Sequence, residues 1–174
     1  MGLEVRLSVS RDLVQKTITQ SLTQELDREM LDQLRLAAAA ANRILYIGDN
    51  AGEAVFDRLL LGQLPKGKAL YAVRGGPIMN DCTRQDAATA GIEALVPVID
   101  TGADIAGIIL ERCSAQFRAA YARADLIIAK GQGNYETLSD ARENIFFLFK
   151  VKCATVAASC GKSRGDIALV RAPF

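Results

Sequence analysis

The chain has 174 residues, half of them hydrophobic, and it carries 21 basic and 20 acidic side chains but no histidine or tryptophan. This length fits one domain with a substantial core, and a net charge of +1 gives no general attraction to nucleic acid or to an anionic membrane. Without histidine there is no Ser-His-Asp triad and no imidazole ligand for zinc, so carboxylates, amides, lysine, arginine or a hard cation must carry any chemistry.

The four cysteines are scattered, with no Cys-x-x-Cys pair, which gives little support to a metal site or a disulfide framework. The first residues do not have the pattern of a signal peptide. No uncharged apolar stretch approaches the roughly 18–20 residues that a transmembrane helix needs. We therefore expect a cytoplasmic protein with reduced thiols and no membrane partner.

Helical and strand patterns alternate along the chain. Residues 10–42 contain no glycine or proline and have apolar residues at helical spacing, which predicts one long amphipathic helix, or two with a break, within an N-terminal helical segment (1–42). Six apolar strands are predicted after it, at 44–47, 69–73, 94–99, 126–129, 146–149 and 167–170. The helices predicted between them cover 53–64, 81–90, 108–122 and 136–142. Residues 43–174 are therefore expected to form an α/β core, a three-layer α/β/α sandwich with a mostly parallel, Rossmann-like sheet.

Polar side chains follow the predicted strands, at the ends where open parallel sheets bind their ligands. Asp49 and Asn50 follow the first strand, and Arg74 follows the second. Further polar side chains begin the next helix or follow the later strands: Asn80, Asp81, Asp100, Asp104, Lys130, Asn134, Glu136, Lys150 and Lys152. Any one of them is equally well explained as a helix cap, but four such loops favour a shared site.

The residue types in these loops favour phosphoryl chemistry. Carboxylates with an amide oxygen suit magnesium, manganese or another oxygen-preferring divalent ion, and lysine, arginine and helix N-termini suit a phosphate. The glycine-rich loops match neither G-x-G-x-x-G nor G-x-x-x-x-G-K-[ST], so dinucleotide and P-loop nucleotide binding are not supported. A methyltransferase is disfavoured because Arg74 stands where an acidic residue normally ends the second strand.

Four motifs, in order, resemble those of the damage-control phosphatases, a family of metal-dependent phosphatases long known as a domain of unknown function. The motifs are G-D-N-A-G-E at 48–53, R-G-G-P-I-M-N-D-C-T at 74–83 with Asp86 after it, A-D-L-I-I-A-K-G-Q-G-N-Y-E at 124–136 and K-V-K-C at 150–153. They are most similar to those of the stand-alone archaeal and bacterial branch. The resemblance implies a phosphatase that uses a divalent metal ion (Mg, Mn, Co or Ni) to hydrolyse small phosphorylated metabolites, such as sugar phosphates or damaged phosphate esters.

The resemblance also implies roles for individual residues. Asp49, Asn50 and Asp81 would bind the metal, and Lys152, or Lys150 in its place, would contact the phosphate, which makes Asp49, Asp81 and Lys152 the catalytic set. The residues expected to face the substrate are Arg74, Asp104, Lys130, Asn134 and Glu136. The nucleophile is left open between a water on the metal and a carboxylate.

The start of the chain departs from this branch of the family. Its members usually carry a helical region with cysteines near its start, whereas here only the segment before residue 43 precedes the first strand and it has no cysteine. We therefore expect a catalytic core that is shortened at its N-terminus and lacks part of a substrate lid. A second hypothesis follows, a non-catalytic module that binds a phosphorylated metabolite or forms a subunit. An apolar face on the first helix, if uncovered, predicts a homo-oligomer.

Overall fold

The computed structural model describes residues 12, 15, 19 and 23–173. In this part of the chain six strands form one sheet in the order β3-β2-β1-β4-β5-β6. The strands are β1 (Ile44–Ile47), β2 (Ala69–Val73), β3 (Val98–Asp100), β4 (Leu126–Lys130), β5 (Ile145–Lys150) and β6 (Ile167–Arg171). Neighbouring strands are parallel except β6, which runs antiparallel to β5. The prediction of a mostly parallel α/β sheet is confirmed.

Six α-helices have both ends within the described residues. They are α1 (Arg28–Ala40), α2 (Ala54–Leu61), α3 (Arg84–Thr89), α4 (Ala115–Arg123), α5 (Gln132–Leu138) and α6 (Ala154–Cys160). The helix predicted at 108–122 is divided into a 3₁₀ turn, Leu110–Arg112, and α4. The division follows from Ser114, whose hydroxyl accepts the backbone N–H of Phe117 at 3.1 Å and caps the start of α4. The sequence pattern did not predict α6.

The prediction of one long helix over residues 10–42 is not confirmed. Residues 24–27 are not helical, and α1 begins after Asp27, whose carboxylate accepts the backbone N–H of Met30 at 3.1 Å. The backbone is helical at Asp12, Gln15, Thr19 and Thr23, which agrees with the alternative of a break. The other residues used for this prediction before position 23 lie outside the described part of the chain: Ser10, Leu13, Ile18 and Leu22.

The sheet separates two apolar cores, which explains why its strands are apolar throughout. In β1, Tyr46 packs into the core formed with α1, α2 and α3, whereas Leu45 packs into the core formed with α4, α5 and α6. All four residues of β1 are buried. Each large apolar side chain buried in this way contributes about 1.5–3 kcal/mol to stability, so both faces of the strand favour apolar residues. The three predicted layers are therefore present.

The strand order reverses in the middle of the sheet. From β1 the chain continues to β2 and β3 on one side, and from β4 it continues to β5 and β6 on the other. The connections that follow β1 and β4 therefore diverge and leave a crevice at the carboxyl ends of these strands, the position where open α/β sheets bind their ligands. None of the helices in the described ranges is both long enough and apolar enough to span a bilayer.

Candidate active site

Two carboxylates meet around a buried arginine at the carboxyl ends of β1 and β2. Arg74, directly after β2, is 2 % exposed. Its Nε donates to the Asp81 carboxylate at 2.6 Å, and its Nη2 lies 3.8 Å from the Asp49 carboxylate. Asp81 reaches this place because a backbone bridge pairs it with Asn50. The structure thus brings together the three residues that were predicted to bind metal.

Asn134 connects this cluster to β4. It is fully buried in the first turn of α5, and its Oδ1 accepts from Arg74 Nη2 at 3.0 Å. Its Nδ2 donates to the backbone carbonyls of Gly48 and Lys130, at 3.2 and 2.6 Å. Arg74 and Asn134 therefore hold the strand ends together beneath the carboxylates, and their predicted contact with substrate stays a prediction. Arg74 Nη1 is buried without a hydrogen-bond partner among the described residues.

The carboxylate cluster carries an excess of negative charge. Burial, the Asp81 carboxylate and the Glu53 carboxylate together raise the pKa of Asp49 to about 6, against the opposing effect of Arg74 and Lys152. A cation at this place would stabilise the charged form of Asp49. The positive charges of Arg74 and Lys152 therefore do not fully compensate the buried carboxylates, and an additional cation would be favourable here.

The donor types at this cluster fit a hard divalent cation, with a limited set of protein ligands. Asp49 and Asp81 offer carboxylate oxygens, and Asn50 offers an amide oxygen that accepts the Gly52 N–H at 2.7 Å. Across the described ranges, no three His, Cys, Asp or Glu side chains form a group that could hold a metal ion. Two carboxylates and one amide leave coordination positions for water and substrate oxygens, as magnesium sites commonly do.

A cavity of about 460 Å³ opens beside Asp49. Three lysines line it, namely Lys130, Lys150 and Lys152, together with the carboxylate of Glu53. The remaining wall is largely apolar and includes Leu26, Leu148, Phe149 and Ile167. This lining combines cations that suit a phosphate with an apolar surface that suits the organic part of a small ester.

Two carboxylates hold Lys130 in place, one in the cavity wall and one buried behind it. Its side chain is 12 % exposed, and its Nζ donates to Asp57 at 2.8 Å and to Glu53 at 3.1 Å. Burial alone would lower the pKa of Lys130, but the Asp57 and Glu53 carboxylates raise it above its ordinary value. Lys130 is therefore a cation at neutral pH.

Glu136 and Asp104 do not line this cavity, and their predicted contact with substrate stays a prediction. Glu136 is exposed on α5, and its carboxylate accepts from Gln132 Nε2 at 2.7 Å. Gln132 lines the cavity, and its Oε1 accepts the backbone N–H of Lys152 at 2.7 Å. Glu136 thus acts on the Lys152 loop through Gln132. Asp104 is exposed in the loop after β3 and packs beside Gly76.

Three residues of the site were not predicted: Glu53, Asp57 and Gln132. Glu53 and Gln132 lie inside the motifs that carried the family resemblance, next to residues that were singled out. Asp57 had a different signal, because Ala54, Asp57 and Leu61 form the buried face of α2. A carboxylate three or four residues away from apolar residues lies on the same face of a helix and is expected to be buried with them. A buried carboxylate needs hydrogen-bond donors or an opposite charge around it.

The sequence of residues 1–168 matches the family description "Damage-control phosphatase ARMT1-like domain". The chain belongs to the damage-control phosphatase family. This confirms the resemblance found in the four motifs, which supply the carboxylate cluster and all three lysines of the cavity.

Three relatives are similar over most of this chain. It is 39% identical over 165 residues to a damage-control phosphatase from Pyrococcus horikoshii, covering 92% of this chain and 56% of that protein. It is 34% identical over 161 residues to one from Archaeoglobus fulgidus, covering 90% and 54%. An uncharacterised protein of Methanocaldococcus jannaschii is 42% identical over 165 residues, covering 91% and 54%. The chain spans about half the length of these relatives.

A solved structure has the same fold. The crystal structure of a DUF89 family protein from Pyrococcus horikoshii superposes with a TM-score of 0.83 at 38% sequence identity, covering 94% of this chain and 59% of that one. The damage-control phosphatase fold therefore extends over nearly all of this chain.

Proposed function

We propose that this chain is the core of a phosphatase that depends on a divalent metal ion (Mg, Mn, Co or Ni) and hydrolyses small phosphorylated metabolites, of the class of sugar phosphates or damaged phosphate esters. One observation carries the proposal: the Asp49 and Asp81 carboxylates meet beside a cavity lined by three lysines, where the strand order reverses. The relatives from Pyrococcus horikoshii and Archaeoglobus fulgidus are named damage-control phosphatases, which supports a phosphatase.

Each side of the cavity has a distinct part in the proposed reaction. A divalent cation held by Asp49, Asn50 and Asp81 would supply Lewis-acid chemistry toward a phosphate oxygen. Arg74 fixes the orientation of Asp81 through their 2.6 Å hydrogen bond. Lys152 and Lys130 neutralise charge that develops on the phosphate oxygens. Because the chain has no histidine, the proton for the leaving group comes from a carboxyl group or from water.

Activity of the whole chain tests this proposal. We expect hydrolysis of phosphate esters with Mg²⁺, Mn²⁺, Co²⁺ or Ni²⁺, and loss of turnover on chelation. Asp49→Ala is expected to lower kcat/KM by about a hundredfold or more, because it removes a metal ligand next to the reacting phosphate. Asp32→Ala, on the exposed side of α1, is the matched control and should retain activity. Full metal-dependent activity in Asp49→Ala would contradict the site.

A non-catalytic binding module is the second candidate function. It is supported by the three lysines of the cavity, which suit a phosphate group whether or not the chain hydrolyses the ester. It predicts that phosphorylated metabolites bind but are not hydrolysed with any of the four metals. Binding without hydrolysis would contradict the phosphatase proposal and support the binding module. A cytoplasmic location and a homo-oligomeric state stay predictions from the sequence.

A further inference from the structure

Asp57 is a buried carboxylate that the proposed reaction does not use. It is 2 % exposed, on the face of α2 that packs against the sheet. Burying a carboxylate is unfavourable unless hydrogen bonds and opposite charge compensate for the lost water. An apolar residue would serve packing alone at this position, so the arrangement around the carboxylate indicates a further role.

Three donors surround this carboxylate and fix its plane. Tyr46 donates its hydroxyl to Oδ1 at 2.7 Å, and Tyr71 donates its hydroxyl to Oδ2 at 2.8 Å. Lys130 Nζ donates to Oδ1 at 2.8 Å. Since both carboxylate oxygens are bonded, the carboxylate cannot rotate without breaking a contact.

The sheet itself sets the spacing of the two tyrosines. Tyr46 and Tyr71 are register partners in β1 and β2, and their rings stack with centroids 5.3 Å apart. A Cβ at Gly48 would lie 2.5 Å from the Tyr71 hydroxyl oxygen. Tyr71 therefore packs directly against the start of the loop that carries Asp49.

We propose that Asp57 is a positioning residue which, with Tyr46 and Tyr71, aims the Lys130 ammonium at an anion in the cavity. An ammonium group has three N–H donors. Two of them meet Asp57 and Glu53, and the third is left for a ligand in the cavity that Lys130 lines. Holding the lysine in advance removes the conformational entropy that a free side chain would lose on binding. The identification of the anion as a phosphate group rests on the proposed function.

A double-mutant cycle tests whether Asp57 acts through Lys130. The whole chain is titrated with inorganic phosphate in buffer containing Mg²⁺, by calorimetry. Asp57→Asn and Lys130→Met are each expected to weaken phosphate binding about tenfold, the loss of one charge-assisted hydrogen bond. The double variant should bind no more weakly than Lys130→Met alone, because the inference has Asp57 act on the ligand through Lys130. Additive losses, or undiminished affinity in Asp57→Asn, would overturn the inference.

A second variant keeps the test decisive if Asp57→Asn does not fold. Tyr71→Phe removes one hydroxyl but keeps the contact between Asp57 and Lys130. We expect it to weaken phosphate binding about threefold, in line with one neutral hydrogen bond, and to have no effect in the Lys130→Met background. Tyr121→Phe is the matched control, a buried tyrosine in the core on the other face of the sheet, and should leave phosphate affinity unchanged. Equal effects of the two tyrosine variants would overturn the inference.

The outcomes separate this inference from the proposed function. Coupling between Asp57 and Lys130 in phosphate binding, without hydrolysis of any ester, would support the inference and remove the phosphatase proposal. Hydrolysis of an ester, together with additive losses of phosphate binding in the Asp57 and Lys130 variants, would support the phosphatase proposal and overturn the inference. Absence of phosphate binding by the unaltered chain would overturn the inference.

Discussion

Gly131 lies at a position where only glycine fits. Its φ is 82°, a backbone conformation that other L-residues rarely adopt. A Cβ there would overlap the carboxylate of Asp49. Since Asp49 packs directly on this backbone, the loop after β4 determines where the Asp49 side chain lies.

Gly131→Ala is expected to displace Asp49 and to lower metal-dependent turnover by about a hundredfold, the effect typical of a displacement of about 1 Å in a catalytic group. It should also lower the free energy of unfolding by about 1–3 kcal/mol through backbone strain. Gly67→Ala is the control, because Gly67 has a φ of 75° but no atoms within 4 Å of an added Cβ. Phosphatase assays and urea unfolding would check both. Equal turnover in the two variants would contradict this role of Gly131.

The positions of some site residues can be predicted from the sequence, and those of others cannot. Asp49 and Asp81 could be predicted because strand ends and the loops between them mark one edge of a parallel sheet. The burial of Arg74 could not, since it depends on the pairing that brings Asp81 back toward Asn50. The contact of Asp57 with Lys130 spans 73 positions in the chain, and it depends on how α2 packs against β4, which local pattern does not determine.

The start of α3 is fixed by a capping box, a reciprocal pair of hydrogen bonds between the first turn and the residue before it. Asp86 accepts the Thr83 backbone N–H at 2.9 Å and the Thr83 hydroxyl at 2.6 Å. The Thr83 side chain in turn accepts the Asp86 N–H. The cap fixes the point where the Asp81 loop ends and the helix begins.

Stability should depend on pH through this cap. Hydrogen bonds from Thr83 lower the pKa of Asp86 in the folded chain, so its stabilising effect is complete above the unfolded value of roughly 3.9 and is lost as pH falls through the folded value. Asp86→Asn is expected to lower the free energy of unfolding by about 1 kcal/mol at pH 7, and by less near pH 3. Urea unfolding at the two pH values would measure this. Asp140→Asn, an exposed control, should show no such difference, and a constant effect of Asp86→Asn would contradict the role of the cap.

Elements with a strong pattern were predicted more closely than those without one. β1, β2, β4 and β5 are uniformly apolar runs, and they form within one residue of the predicted bounds. β3 begins only at Val98, because Ile92–Ala94 forms a 3₁₀ turn and Pro97 has no N–H for a strand ladder. α6 does have an apolar stripe, because Val156, Ala157 and Cys160 recur at helical spacing and pack against the core. Most of these side chains are small, so the stripe gives only a weak signal in the sequence.

The stability of the whole molecule should respond to divalent cations. The Asp49 carboxylate is disfavoured by burial and by Asp81, and a bound cation would relieve this and favour the folded chain. At a Mn²⁺ concentration of about 100 times Kd we expect about 2.7 kcal/mol of added stability, a rise in Tm of about 5–10 °C for a chain of this size. Calorimetry with and without chelator would measure it. Asp32→Ala should keep the rise and Asp49→Ala should lose it; an equal rise in both would contradict a cation site at Asp49.

At the scale of the whole molecule, the layers could be predicted but the strand order could not. Apolar strands alternating with helices are enough to indicate a covered parallel sheet. Nothing local specifies that β1 pairs with β4, although this pairing places Lys130 next to the Asp49 loop. The order is decided by long-range packing, and with it the position of the crevice.

The cavity beside Asp49 is lined by both acidic and basic side chains, and this mixture affects the order in which ligands can bind. Asp49 and Glu53 lie among the same walls as the three lysines. If the proposed function holds, a phosphate ester that arrived first would meet repulsion from the two acids as well as attraction from the lysines, whereas a cation that arrived first would remove the repulsion at Asp49. For such a phosphatase the lining would favour an ordered encounter, with the cation binding before the ester. At low cation concentration, the rate of ester capture would be governed by how often the cation is already in place.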